Sequence, residues 1–103
     1  MQTTLRSASF PVRTLESEVA TDVAQYLAKG PRERFITPHY IYKMIYGPQG
    51  IKNDKKNYVS VRDVVFAVEE MKRNRVLFII GRRPPFGLIV YKFDLERAYE
   101  YYL

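Results

Sequence analysis

Side chains that can bind a polyanion are concentrated between positions 52 and 83 of the 103-residue chain. Lysine and arginine gain affinity for nucleic acid by displacing the counterions condensed on its phosphates. We predict that the phosphate ligands are Lys52, Lys55, Lys56, Arg82 and Arg83. Side chains that reach base edges can read sequence, and the candidates for that role are Tyr58, Ser60, Arg62 and Arg73.

The three lysines lie in the polar stretch 49–58, directly before a predicted helix start at Ser60. A run of charge is more often a solvated surface than a site. Here the lysines and the free backbone N–H groups of the helix start can converge on one phosphate. Arg62 is the first candidate for reading sequence, because a guanidinium can pair with both acceptors of guanine.

The predicted helix over residues 60–74 differs in charge between its two halves. Ser60 and Asp63 have the spacing of a capping box, so Asp63 is interpreted as a cap and not as a base reader. Glu69 and Glu70 would repel phosphates, and DNA contact should therefore concentrate at the N-terminal end of the helix. Phe66 is interpreted as the edge of the core.

Metal, cofactor and catalytic sites are not indicated. The absence of cysteine excludes disulfide scaffolds, thiol nucleophiles and zinc fingers. His39 is the only histidine, with no clustered carboxylates beside it, and is interpreted as a surface residue. Gly81 and Gly87 flank RRPPF, but no lysine followed by serine or threonine completes a phosphate loop. We predict a protein that is not an enzyme.

The net charge of +6 and the pI near 9.7 favour a polyanionic partner. Membrane surfaces and acidic proteins attract the same kind of basic patch. The N-terminus lacks the continuous apolar core of a signal peptide, and no apolar run approaches the roughly 20 residues that span a bilayer. We therefore expect a cytoplasmic, nucleoid-associated protein that does not bind membranes.

Periodicity predicts the elements that position these side chains. Thr14 can cap a first helix, and Thr37–Pro38 begins a second with Ile41, Met44 and Ile45 facing inward and Tyr46 outward. The predicted elements are helices over 14–29, 37–46 and 60–74, a short edge strand within 32–36, and hairpin strands over 76–80 and 88–93 that are joined by the loop 81–87.

Both hairpin strands are apolar on both faces, so something must cover the second face of the hairpin. The segment 95–103 can begin at Asp94 as a cap and form a helix. Its apolar side can cover the hairpin of its own chain or meet a second subunit. The predicted dimer contacts are Leu95, Ala98, Tyr99 and Tyr102.

The order helix, strand, helix, helix, hairpin resembles the winged helix-turn-helix family between residues 14 and 94. The resemblance implies an α+β fold in which the helix 60–74 reads the major groove and the 81–87 wing meets phosphate or the minor groove. Residues 1–13 contain Arg6 and Arg13 and no acid, and they are interpreted either as a basic arm that lies on DNA or on a second subunit or as a frayed terminus. Residues 95–103 would be a packing or dimerisation helix. The chain is also similar to winged-helix proteins of archaeal plasmids and viruses, including PadR-like ones. The long segment between the second and third helices departs from the usual turn of about three to four residues.

The resemblance implies a sequence-specific double-stranded DNA-binding protein, namely a dimeric transcription regulator. A plasmid-partition or architectural protein that coats DNA would use the same residues. A winged-helix module for protein contacts, with Phe66, Tyr46 and the tyrosine-rich tail as its surface, belongs to another class.

Overall fold

The computed structural model describes residues 14–103 and has the predicted α+β class. Within that range there are four α-helices and a three-stranded antiparallel sheet. The elements are α1 (Leu15–Ala28), β1 (Glu33–Phe35), α2 (Pro38–Tyr46), a 3₁₀ turn (Asn53–Lys55), α3 (Val61–Arg73), β2 (Leu77–Arg83), β3 (Leu88–Phe93) and α4 (Leu95–Tyr101). The predicted arm 1–13 lies outside the described residues.

The helix starts follow from capping side chains. Thr14 accepts a hydrogen bond from the Ser17 amide at 3.1 Å and so caps α1. Ser60 and Asp63 form the predicted reciprocal capping box at the start of α3. The Thr37 side chain makes no capping hydrogen bond, contrary to the prediction. Pro38 is nevertheless at the first turn of α2, where its missing N–H costs nothing.

The core lies where the helices meet the base of the hairpin. Leu27 of α1, Met71 of α3 and Phe93 of β3 are among its fully buried side chains. The predicted faces of α2 are partly wrong: Met44 is 42% exposed, and Tyr46 is fully buried. Tyr46 can enter the core because its hydroxyl group finds a buried acceptor there, Asp22.

The sheet has the strand order β1-β3-β2. β1 is an edge strand, as predicted, and Glu33 pairs with Lys92 of β3. β2 and β3 form the hairpin, in which the register shifts between Ile79 and Gly81. Such a bulge leaves one extra residue on β2, bends the strand and increases its twist.

α4 packs against its own chain. Ala98 is fully buried in the core, and Leu95 and Tyr102 are partly buried against it. The prediction that Ala98 contacts a second subunit is therefore wrong, because its surface is already covered. Tyr99 is 64% exposed and is the predicted dimer contact that stays accessible.

None of the helices within residues 14–103 has both the length and the apolar character needed to cross a bilayer.

Candidate functional site

The hairpin tip carries two adjacent arginines. Arg82 and Arg83 are the last residues of β2 and pair with Ile89 and Leu88. The sequence places them in the loop 81–87, and the structure corrects this, because both lie on the strand. Both are exposed, and within the described residues neither guanidinium forms an ion pair. Their charges are therefore available to a ligand.

The turn itself consists of Pro84, Pro85, Phe86 and Gly87. Arg82 Nη1 donates a hydrogen bond to the Gly87 carbonyl oxygen at 3.3 Å, which ties the two ends of the turn together. Gly87 has φ of +67°, a left-handed conformation that glycine adopts without a steric cost. Phe86 is 83% exposed at the outermost part of the turn.

The N-terminal end of α3 presents fewer free groups than predicted. The Ser60 hydroxyl group donates to Asp63 Oδ2 at 3.2 Å and accepts from the Asp63 amide, so it is used in capping. Arg62 is exposed, and its guanidinium lies 5.4 Å from the centre of the Phe66 ring. Tyr58 and Lys56 are also exposed. Arg62 therefore remains the best placed of the base-reading candidates.

The outer flank of α3 forms an acidic groove. Its volume is about 230 Å³, and it is lined by Glu16, Asp63, Phe66, Ala67, Glu69, Glu70 and Arg73. Four carboxylates and one guanidinium line the groove, and Lys72 pairs with one of the carboxylates, Glu69, at 2.9 Å. The remaining acidic charge disfavours phosphate here, so Arg73 is poorly placed to bind it. The interpretation of Phe66 as core edge is wrong, because its side chain is 53% exposed in this groove.

Two of the predicted phosphate ligands are held by carboxylates of α1. Lys55 Nζ lies 3.0 Å from Asp22 Oδ2 and 3.3 Å from Glu18 Oε1, and Lys52 Nζ lies 3.4 Å from Asp22 Oδ1. Burial disfavours the charged form of Lys55, but its hydrogen bonds to Asp22 and Glu18, together with their charges, outweigh this and raise the pKa of the ammonium group. Lys52 and Lys55 therefore bring less free positive charge to the surface than the sequence suggested.

Asp22 is the buried centre of this network and was missed by the sequence analysis. It is 6% exposed, and the Tyr46 hydroxyl group donates to its Oδ2 atom at 2.9 Å. Burial, the hydrogen bond and the Asp22 charge all raise the pKa of the Tyr46 hydroxyl group. The position of Asp22 between Val19 and Tyr26, on the apolar stripe of α1, could have revealed it. A carboxylate on a buried helix face requires a partner.

The same network orders the long α2–α3 connection. Lys52 and Lys55 fasten it to α1, the Lys52 amide donates to the Ile45 carbonyl oxygen at 2.8 Å, and Asn53 Nδ2 donates to the Pro48 carbonyl oxygen at 2.8 Å. The connection is thus an ordered segment, and it places Lys56 and Tyr58 close to the start of α3.

The hairpin leaves apolar side chains uncovered within the described residues. Ile79, Ile80 and Leu88 are exposed, and so is Phe35 on the adjoining edge strand. The tail covers the core and not these residues. In the strand register Phe35 and Leu88 lie on the Val90 face of the sheet and Ile79 lies on the opposite, Tyr91 face, so exposed apolar side chains remain on both faces of the hairpin.

His39 is exposed on α2. Among residues 14–103 no group of three or more histidine, aspartate or glutamate side chains could hold a metal ion.

Comparison of the chain with protein-family models, with curated proteins and with solved structures found no match.

Proposed function

We propose that the chain is a winged helix-turn-helix protein that binds double-stranded DNA without catalysing a reaction. The observation that carries this proposal is the hairpin: it follows α3 directly and presents Arg82 and Arg83, which form no ion pair with the rest of residues 14–103, beside an exposed turn. α3 supplies the reading helix of such a fold, and the hairpin supplies the wing.

Phosphate binding is assigned first to Arg82, Arg83 and Lys56, because their charges are not neutralised by carboxylates of the described chain. Base reading is assigned to Arg62, with Tyr58 beside it. Lys52 and Lys55 act instead by fixing the connection before α3. The acidic groove on the flank of α3 favours an approach in which only the N-terminal end of this helix enters the DNA groove.

We further propose that the functional unit is a homodimer that binds a short palindromic site in the nucleoid as a transcription regulator. The observation that supports self-association is the exposed apolar side chains of the sheet, Leu88 and Phe35 on one face and Ile79 on the other. Footprinting separates this regulator from a DNA-coating or partition protein, because a coating protein protects a tract that grows with protein concentration.

The deciding experiment is retardation of duplex DNA over a series of salt concentrations. Each phosphate contact contributes about 0.9 to the slope of log affinity against log salt. The Arg82→Ala/Arg83→Ala variant should therefore lower the slope by about two. The Lys29→Ala/Arg75→Ala variant removes the same charge at exposed positions outside the tip and is the matched control.

A slope for the Arg82→Ala/Arg83→Ala variant that equals the slope of the unaltered protein would remove the hairpin from the interface. Failure of the unaltered protein to bind any duplex at low salt would overturn the proposed function. Stable co-purification with one protein partner would then favour the second candidate, a protein-interaction module. The exposed Phe66 in its groove is the observation that favours this candidate.

A further inference from the structure

Phe86 is the most exposed large hydrophobic side chain of the described residues, at 83%. Single apolar residues at a surface are common and need no explanation. This one is unusual in its surroundings, because it lies at the end of a hairpin between two prolines and a glycine, with two arginines immediately behind it. Within residues 14–103 its side chain is left largely uncovered.

The turn holds Phe86 in a defined position. Two successive prolines restrict φ on one side of it. On the other side, Gly87 is held by the hydrogen bond from Arg82 Nη1. A residue in a constrained turn loses little backbone freedom when it binds, so more of the free energy of burying its side chain remains for affinity.

The positive charge around the hairpin tip indicates what kind of ligand Phe86 would bind. The segment 81–93 contains Arg82, Arg83 and Lys92 and no acidic residue. An apolar side chain flanked by cations suits a ligand with an apolar interior and an anionic edge. Duplex DNA has this arrangement, because the stacked bases lie between two phosphate backbones.

We propose that Phe86 is a wedge that enters the minor groove and partly unstacks one base step, while Arg82 and Arg83 bind the flanking phosphates. The inference rests on the proposed DNA-binding function and adds a structural effect on the DNA. The minor groove is only about 6 Å wide, so the turn and not the whole hairpin enters it. Apolar wedges of this kind kink the duplex by roughly 20–90° toward the major groove.

The test compares affinity and bending for the unaltered protein and for the Phe86→Ala and Phe86→Leu variants. The probe is a duplex of about 30 base pairs with fluorophores at both ends and a central run of alternating T and A, since pyrimidine–purine steps kink most easily. Energy transfer between the ends reports the bend. A G·C-only duplex of equal length is the control.

We expect the unaltered protein to shorten the end-to-end distance of the T·A duplex. Phe86→Ala should abolish that change and weaken binding roughly ten- to hundredfold, the range set by loss of one aromatic contact with a base. The salt slope should stay unchanged, because both arginines remain. Phe86→Leu keeps an apolar wedge and should retain most of the bend. Because Phe86 is exposed, neither substitution should impair folding, and thermal melting of each variant checks this.

The outcomes separate the two proposals. Steep salt dependence with a straight duplex, or an equal bend with Phe86→Ala, overturns the wedge and leaves DNA binding intact. Absence of binding to either duplex overturns the proposed function itself. If Phe86→Ala alters only self-association or binding to anionic lipid vesicles, Phe86 serves another partner and the wedge is overturned.

Discussion

Asp22 shows how one buried charge can organise several segments. Its carboxylate receives the Tyr46 hydroxyl group from α2 and two lysines from the α2–α3 connection. A buried carboxylate is tolerated only when such partners replace its lost hydration. Lys52 and Lys55, which the sequence predicts as phosphate ligands, therefore bind the Asp22 carboxylate of their own chain.

Replacing Asp22 by alanine should lower the free energy of unfolding by about 3 kcal/mol, because removing one member of a buried ion pair leaves the others uncompensated. Glu18 is the matched control: it binds the same Lys55 but is more exposed, so Glu18→Ala should cost less than about 1 kcal/mol. Urea unfolding measures both. Equal losses would show that the network contributes no more than a surface pair.

At the scale of elements, the hairpin turn depends on the left-handed backbone of Gly87. Gly81 lies on the same hairpin, and for both glycines an added Cβ atom would meet no other atom within 4 Å. The two positions therefore differ in backbone conformation and not in available space. They form a matched pair for testing what the turn requires.

Gly87→Ala should lower the free energy of unfolding by about 1–2 kcal/mol, the cost of a left-handed conformation for a residue with a Cβ atom. Gly81→Ala should be close to neutral or slightly stabilising, because it reduces the freedom of the unfolded chain. Chemical denaturation of the two variants side by side is the measurement. A similar loss in both would mean that the cost does not arise from φ at Gly87.

The elements were more predictable than the partners of their side chains. Capping residues and apolar periodicity identified α1, α3 and α4, because these signals act over a few neighbouring positions. The burial of Tyr46 depends on a side chain far away in sequence, Asp22, which accepts the hydrogen bond of its hydroxyl group. The hairpin arginines were identified from sequence, whereas the neutralisation of Lys55 by α1 required the packed structure.

At the scale of the whole molecule, α4 closes the C-terminal end of α3. Arg97 Nε donates to the Asn74 carbonyl oxygen at 2.8 Å, and Asn74 Nδ2 donates to the Tyr102 hydroxyl group at 2.9 Å. Tyr102 in turn donates to Glu70 at 2.9 Å. Burial raises the pKa of Tyr102 to about 12, with Asn74 opposing and Glu70 reinforcing the shift.

This shift predicts a loss of stability at alkaline pH. The folded chain keeps the Tyr102 proton between the usual pKa of 10.0 and about 12, whereas the unfolded chain releases it. The free energy of unfolding should therefore fall as pH rises through that window, and Tyr102→Phe should make the fall shallower. Tyr99→Phe, at an exposed position of the same helix, is the control. Urea midpoints between pH 8 and 12 test the effect, and identical profiles for all three proteins would contradict it.

The sheet order β1-β3-β2 also has a consequence for how the molecule assembles. The central strand, β3, is the last of the three strands in sequence. Glu33 of β1 can therefore pair with Lys92 only after α2, α3 and β2 have been synthesised. Closing so long a loop is entropically costly and slows folding relative to local contacts. During synthesis the first three helices can collapse before any sheet exists, and the sheet is complete only once β3 is available to pair with β1.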